Sequence, residues 1–250
     1  MFSPRAASDW FGSSESGSSR PSTASSYRTA KSASTVSAAT QPQPPPPHRA
    51  APAVPSAVDV LPALLADLNN QTTPAAVGES AMHLCLLLDS AVGDEAAALG
   101  AALLASGSTG LARIVALLDD PSREASVHQS CLLLAANLAA PDIDPEGRIA
   151  AELKRLGALQ RMITHVTSSS SVLTVAYALG AIRNNANTAD EVGLLSSSGT
   201  LAIIQALANG DRAEEDPEGR LRQFAAGCLV NARQIMASAG SSSTAPQVEW

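Results

Sequence analysis

Asp142, Asp144, Glu146 and Gly147 stand at positions 1, 3, 5 and 6 of the spacing with which an EF-hand loop wraps a calcium ion in oxygen ligands. The twelfth position needs a bidentate Glu. Here it is Leu153, Glu152 comes one residue early, and Pro145 sits where the loop must turn. The same residues read better as a helix start, because DPEGR occurs at 144–148 and again at 216–220. In that reading Asp is the N-cap, Pro takes the first helical position, and Glu meets the positive end of the helix dipole. Cys85, Cys131, Cys228, His83, His128 and His165 form no CxxC and no HxxxH pair. His128 and Cys131 fall three apart on one helix, but two ligands do not hold a structural zinc. No nucleophile elbow, Walker loop or dinucleotide-binding glycine pattern occurs, so neither a cofactor nor a metal is expected, and an enzyme is the least favoured class. The carboxylates of GDRAEEDPEG at 210–219 read as a solvated loop or, alternatively, as an acidic contact for a basic partner.

The most regular polar signal is of another kind. Asp89, Asn137, Asn184 and Asn231 recur at intervals of 48, 47 and 47 residues, each near the end of an otherwise apolar segment. Those segments are SAMHLCLLL (80–88), VHQSCLLLAANL (127–138), VLTVAYALGAIRN (172–184) and RQFAAGCLVNA (222–232). They are apolar nearly all round, as expected of helices packed between neighbours on both sides. Ahead of each lies a segment with one apolar stripe: LPALLADL (61–68), LARIVALL (111–118), LQRMITHV (159–166) and LAIIQALA (201–208). In the first three the apolar residues fall at i, i+3, i+4 and i+7; in the fourth Gln205 interrupts the stripe and Leu207 shifts it. Shorter stretches closing on Gly, at 94–107, 146–157 and 188–199, precede the later units. A short helix followed by two longer ones makes a three-helix unit of about 40–47 residues, and such a unit cannot bury its apolar face without stacking on the next.

Composition separates this body from its flanks. Residues 1–55 carry a net charge of +3, with 13 Ser in the first 40 positions and QPQPPPP at 41–47, whereas 56–250 carry −10. The first segment offers little apolar surface to offset the entropy of ordering and is expected to be disordered. Residues 56–240 are expected to form one helical domain rich in Ala and Leu, and 241–250 a second disordered tail. An acidic body argues against a nucleic-acid face, which needs clustered Lys and Arg. No secretory signal follows Met1, and Asp9 and Glu15 count against a transit peptide that the Ser-rich, Arg-containing start would otherwise fit. The longest apolar stretch, 96–118, is broken at 106–110 and by Arg113, so no membrane span is expected. Three cysteines inside apolar stretches fit buried reduced thiols; a cytoplasmic location is expected, with nuclear or organellar ones open.

The residues Gly157-Ala158-Leu159 and Gly199-Thr200-Leu201, with the ending Ala178-Leu179-Gly180-Ala181-Ile182-Arg183-Asn184, resemble the armadillo-repeat family over about 60–236. The resemblance implies an all-α, right-handed superhelical solenoid of about four repeats, whose function is non-enzymatic binding of a protein or extended peptide by a monomer. In that family the third helices line a concave groove and their Asn side chains hydrogen-bond the partner's backbone, which makes Asn137, Asn184 and Asn231 the candidate groove residues. The alternative is that the same Asn bridge carbonyls between neighbouring repeats. Importin-α-like receptors place a Trp four residues before the Asn; here those positions hold Cys85, Leu133, Gly180 and Gly227, so a cage for Lys stems is not expected. Four-repeat members that act as Hsp70 nucleotide-exchange factors imply the alternative function, a co-chaperone, though their amino-terminal segment is not recognisable here.

Overall fold

The computed structural model describes residues 56–107 and 109–241. The segment 1–55 lies outside the described residues, as does 242–250 of the expected C-terminal tail. Eleven α-helices and one 3-10 turn are present, and no strand occurs among the described residues. The helices are α1 (Ala57–Asn70), α2 (Pro74–Ser90), α3 (Asp94–Ala105), α4 (Thr109–Asp119), α5 (Ala125–Leu138) and α6 (Arg148–Arg155). Then come α7 (Ala158–Ser168), α8 (Val172–Asn185), α9 (Ala189–Ser197), α10 (Thr200–Ala208) and α11 (Arg220–Ser241). The last of these carries helix one residue past the expected domain end at 240.

Short polar side chains start several of these helices. Ser56 and Thr188 each accept a bond from the backbone N–H three residues on, and Asp59 and Glu191 close the capping boxes. The DPEGR pair departs from the expected geometry. The helices begin only at Arg148 and Arg220, after Gly147 (φ 68°) and Gly219 (φ 69°), so Asp144 and Asp216 are not N-caps and Pro145 and Pro217 lie outside the helices. Each carboxylate instead reaches forward over a turn. Asp144 accepts from the N–H groups of Arg148 (2.8 Å) and Ala150 (2.9 Å), and Asp216 from those of Arg220 (3.0 Å) and Leu221 (2.7 Å). The orphan donors of the first helical turn are thus satisfied from four residues upstream.

Helices pack in two parallel series. In one, α1, α4, α7 and α10 touch in order; in the other, α2, α5, α8 and α11 do, and each member of the first packs on the next helix in sequence. The stripes of the first series face inward: Leu61, Leu65 and Leu68, then Leu111, Ile114, Val115 and Leu118, then Leu159, Met162, Ile163 and Val166 are all buried. In α10 the buried apolar residues are Ile204 and Leu207 while Gln205 is exposed, so the stripe turns where the sequence shifts. The second series is buried almost all round in its middle members, including Leu132, Leu133, Leu134 and Leu179. The short helices α3, α6 and α9 precede α4, α7 and α10. Between α9 and α10 the chain bends by 86° through Gly199, whose φ of 75° is easy only for glycine; Gly157 (φ 80°) joins α6 to α7 in the same way. Lys154 on α6 ties this layer together through a 3.0 Å ion pair with the buried Glu191 of α9. Burial pushes that carboxyl up, but Lys154 and the N–H groups of Asn187 and Thr188 hold it below the usual range. No single helix among the described residues is long and apolar enough to cross a membrane.

Candidate functional site

An α-helix leaves its last four carbonyls without intrahelical donors. At the end of α5 the N–H of Ala140 turns to the carbonyl of Asn137, so the carbonyl of Ala136 loses its helical partner. The Nδ2 group of Asn184, one helix further on, donates to it at 2.9 Å. The end of α8 repeats the arrangement. There the N–H of Asn187 goes to Glu191, and Nδ2 of Asn231 on α11 donates to the carbonyls of Arg183 (2.9 Å) and Ala186 (3.1 Å). Asn185, a buried neighbour absent from the sequence-based set, donates to Ala181 (2.9 Å) and Ala135 (3.3 Å). Its Oδ1 is buried without a partner. The doubled Asn at 184–185 was visible in the sequence, but nothing in its spacing distinguished the inward residue from the outward one.

Asn137 differs from the other two. Its Nδ2 is buried and has no hydrogen-bond partner, while Asp89 replaces Asn at the equivalent place on α2. The three sequence-predicted residues therefore lie on successive helices of one series, and two of them bind the preceding helix. Asn184 and Asn231 are both partly exposed, and their Oδ1 atoms accept no bond from the described residues. Each amide is thus divided: the donor half stitches helices and the acceptor half is unused.

The positions one turn before these amides are closed or small. Cys85 and Leu133 are buried, and Gly180 packs inside α8. Gly227 carries the side chain of Arg183 across it, with Cδ 3.3 Å from where a Cβ would stand. No aromatic ring flanks the amides at these places.

The acidic loop is a separate surface, since Asn231 lies about three turns along α11 from its first residue. The loop is not simply solvated. Arg212, the one non-glycine residue with positive φ among the described residues (φ 65°), donates to the carbonyl of Ser170 and holds Glu215 at 2.8 Å. That bond keeps the Glu215 carboxyl below its ordinary range. Asp211, Glu214 and Glu218 are exposed, and Glu218 pairs with Arg220.

The thiols and the imidazoles of His128 and His165 are occupied by packing, whereas His83 is exposed. All three cysteines are free and buried, and burial pushes Cys131 and Cys228 up to about 12 and raises Cys85 as well. Cys228 donates to the carbonyl of Leu179 at 3.1 Å. The rings of His128 and His165 lie 4.7 Å apart at the end of α4, with Nε2 atoms 3.0 Å from the carbonyl of Asp120 and 3.1 Å from that of Leu118. Among the described residues no group of three His, Cys, Asp or Glu side chains is arranged to hold a metal. Of the EF-hand-like run, Asp144 makes the capping bonds described above and Glu146 pairs with Arg148.

No protein-family model matches this chain, and neither does any curated protein sequence.

Proposed function

We propose that the chain is a non-enzymatic protein-binding module: an armadillo-like solenoid of about four repeats that takes an extended peptide along the helices carrying Asn137, Asn184 and Asn231. The observation that carries this reading is the divided amide. Asn184 and Asn231 use Nδ2 inside the fold, which fixes each side chain, and present a partly exposed Oδ1 with no donor. A backbone N–H of an extended segment supplies such a donor, and orienting the acceptor in advance lowers the entropic cost of binding. On this reading the bridging and binding roles of the Asn are two ends of one group.

Phage-displayed peptides selected on the full chain supply ligands, and two substitutions separate the roles. Asn184→Ala/Asn231→Ala removes both ends; it should lower the melting temperature and weaken the selected peptides about five- to hundred-fold, at roughly 0.5–1.5 kcal/mol per lost bond. Asn184→Asp/Asn231→Asp removes the donors but keeps an acceptor, so melting should fall while affinity per folded molecule is better retained. Selected peptides that bind both variants as tightly as the wild type would remove the groove assignment.

A further inference from the structure

We infer that the open edge of α2, formed by Glu79, Met82 and Leu86, is covered by the chain's own Trp10-Phe11 segment. The inference rests on the serial packing of α2, α5, α8 and α11, and is independent of the groove reading. At the 47–48-residue spacing of the Asn positions, Leu86 corresponds to Leu134, Ala181 and Cys228. Those three are 1%, 0% and 4% exposed, whereas Leu86 is 51% exposed. Cys228 faces the preceding helix of the series, as its bond back to Leu179 on α8 shows. Glu79 likewise corresponds to Val127, Thr174 and Leu221, all buried, and the bond from Gln129 to Thr174 again points from α8 toward α5. The side of α2 that a preceding helix would cover therefore has no such helix among the described residues.

The sequence names an occupant. The chain has seven aromatic residues, and Phe2, Trp10 and Phe11 crowd into its first eleven positions, while only Tyr177 and Phe224 fall within 56–241. An indole covers 150–250 Å², enough to lie over a Leu and a Met together, and thioether–ring contact is favourable. Charge favours the chain's own segment over a second copy. Residues 1–55 are basic (+3) while the remainder is acidic (−10) and the edge carries Glu79; within the segment the excess comes from Arg28, Lys31 and Arg49, since Arg5 and Arg20 are balanced by Asp9 and Glu15. Reach sets no limit: the segment joins α1 at Ser56, α1 packs on α2, and the residues from Phe11 to Ser56 span up to roughly 150 Å when extended. A tethered segment at an effective concentration in the millimolar range is docked about half the time even with millimolar intrinsic affinity.

The test uses the full chain with Trp250→Phe, which leaves Trp10 as its one tryptophan. Trp10 emission should be shifted to the blue and shielded from acrylamide relative to a free peptide of residues 1–20. Leu86→Glu, a change at an exposed position, should return both signals to the peptide values, a roughly tenfold loss of the docked form, with far-UV helicity retained. Three results overturn the inference: peptide-like emission in the full chain, a shift that survives Leu86→Glu, or a shift lost on hundred-fold dilution, which would assign the edge to a second copy.

Discussion

Several single side chains in this protein are engaged inside the fold, His165 among them. His165 sits against His128 beneath the carbonyl of Leu118, and burial, reinforced by the neighbouring ring, holds its pKa below the ordinary 6.5, although the Leu118 carbonyl opposes this. The sign follows from linkage. Below 6.5 the unfolded chain binds a proton that the folded chain resists, so stability is full above 6.5 and declines as pH falls through that value toward the folded pKa. His165→Gln keeps a donor for Leu118 and removes the titration. Its chemical-denaturation midpoint should be flatter than that of the wild type just below pH 6.5, before the carboxylates begin to protonate. Equal slopes for the two proteins would show that His165 is not the group responsible.

At the scale of elements, the junctions decide more than the helices. The turn after α5 presses the carbonyl of Ile143 against Gly100 on α3, where an added Cβ would collide with it outright. The obstacle is backbone, so relief requires α3 to move away from the 141–147 turn, which the capping bonds of Asp144 hold in place. Gly100→Ala would improve helix propensity in isolation by roughly 0.5–1 kcal/mol. In the folded chain it should instead destabilise by about 1–3 kcal/mol, the range for an overpacked site. A thermal melt decides, since the two effects differ in sign. Gly193, with nothing near its Cβ position in α9, is the control: Gly193→Ala should be neutral or stabilising.

At the scale of the whole molecule, the proposed solenoid reading makes stability a sum of neighbour contacts along the series. Helices α5 and α8 are covered on both sides, while α2 and α11 each have one side that no helix among the described residues covers, with Leu86 and Val230 both 51% exposed. Local opening should therefore proceed from the ends. Hydrogen exchange read by mass spectrometry should find the slowest amides in α5 and α8 and faster exchange toward the C-terminal turns of α11. Uniform protection from α1 to α11 would mean that the helices unfold as one unit.

Much of this arrangement was legible before any coordinate. The 3.6-residue stripes located the first series, the all-apolar segments located the second, and the shift from Gln205 to Leu207 foretold the turned face of α10, because burial acts on side-chain periodicity alone. The glycines at 157 and 199 marked bends that only their backbone freedom permits. The DPEGR helix starts were placed three residues early, since an Asp carboxylate can cap from upstream across a turn and sequence does not say which reach it takes. The Asn ladder was legible as a period and not as a role. Whether an amide spends its donor inside the fold depends on where the preceding helix ends and which carbonyls its last turn orphans. For Asn184 and Asn231 those carbonyls lie within reach; for Asn137 they do not. That difference resides in distances between residues 45 to 48 apart in sequence, which helix packing sets and local pattern does not encode.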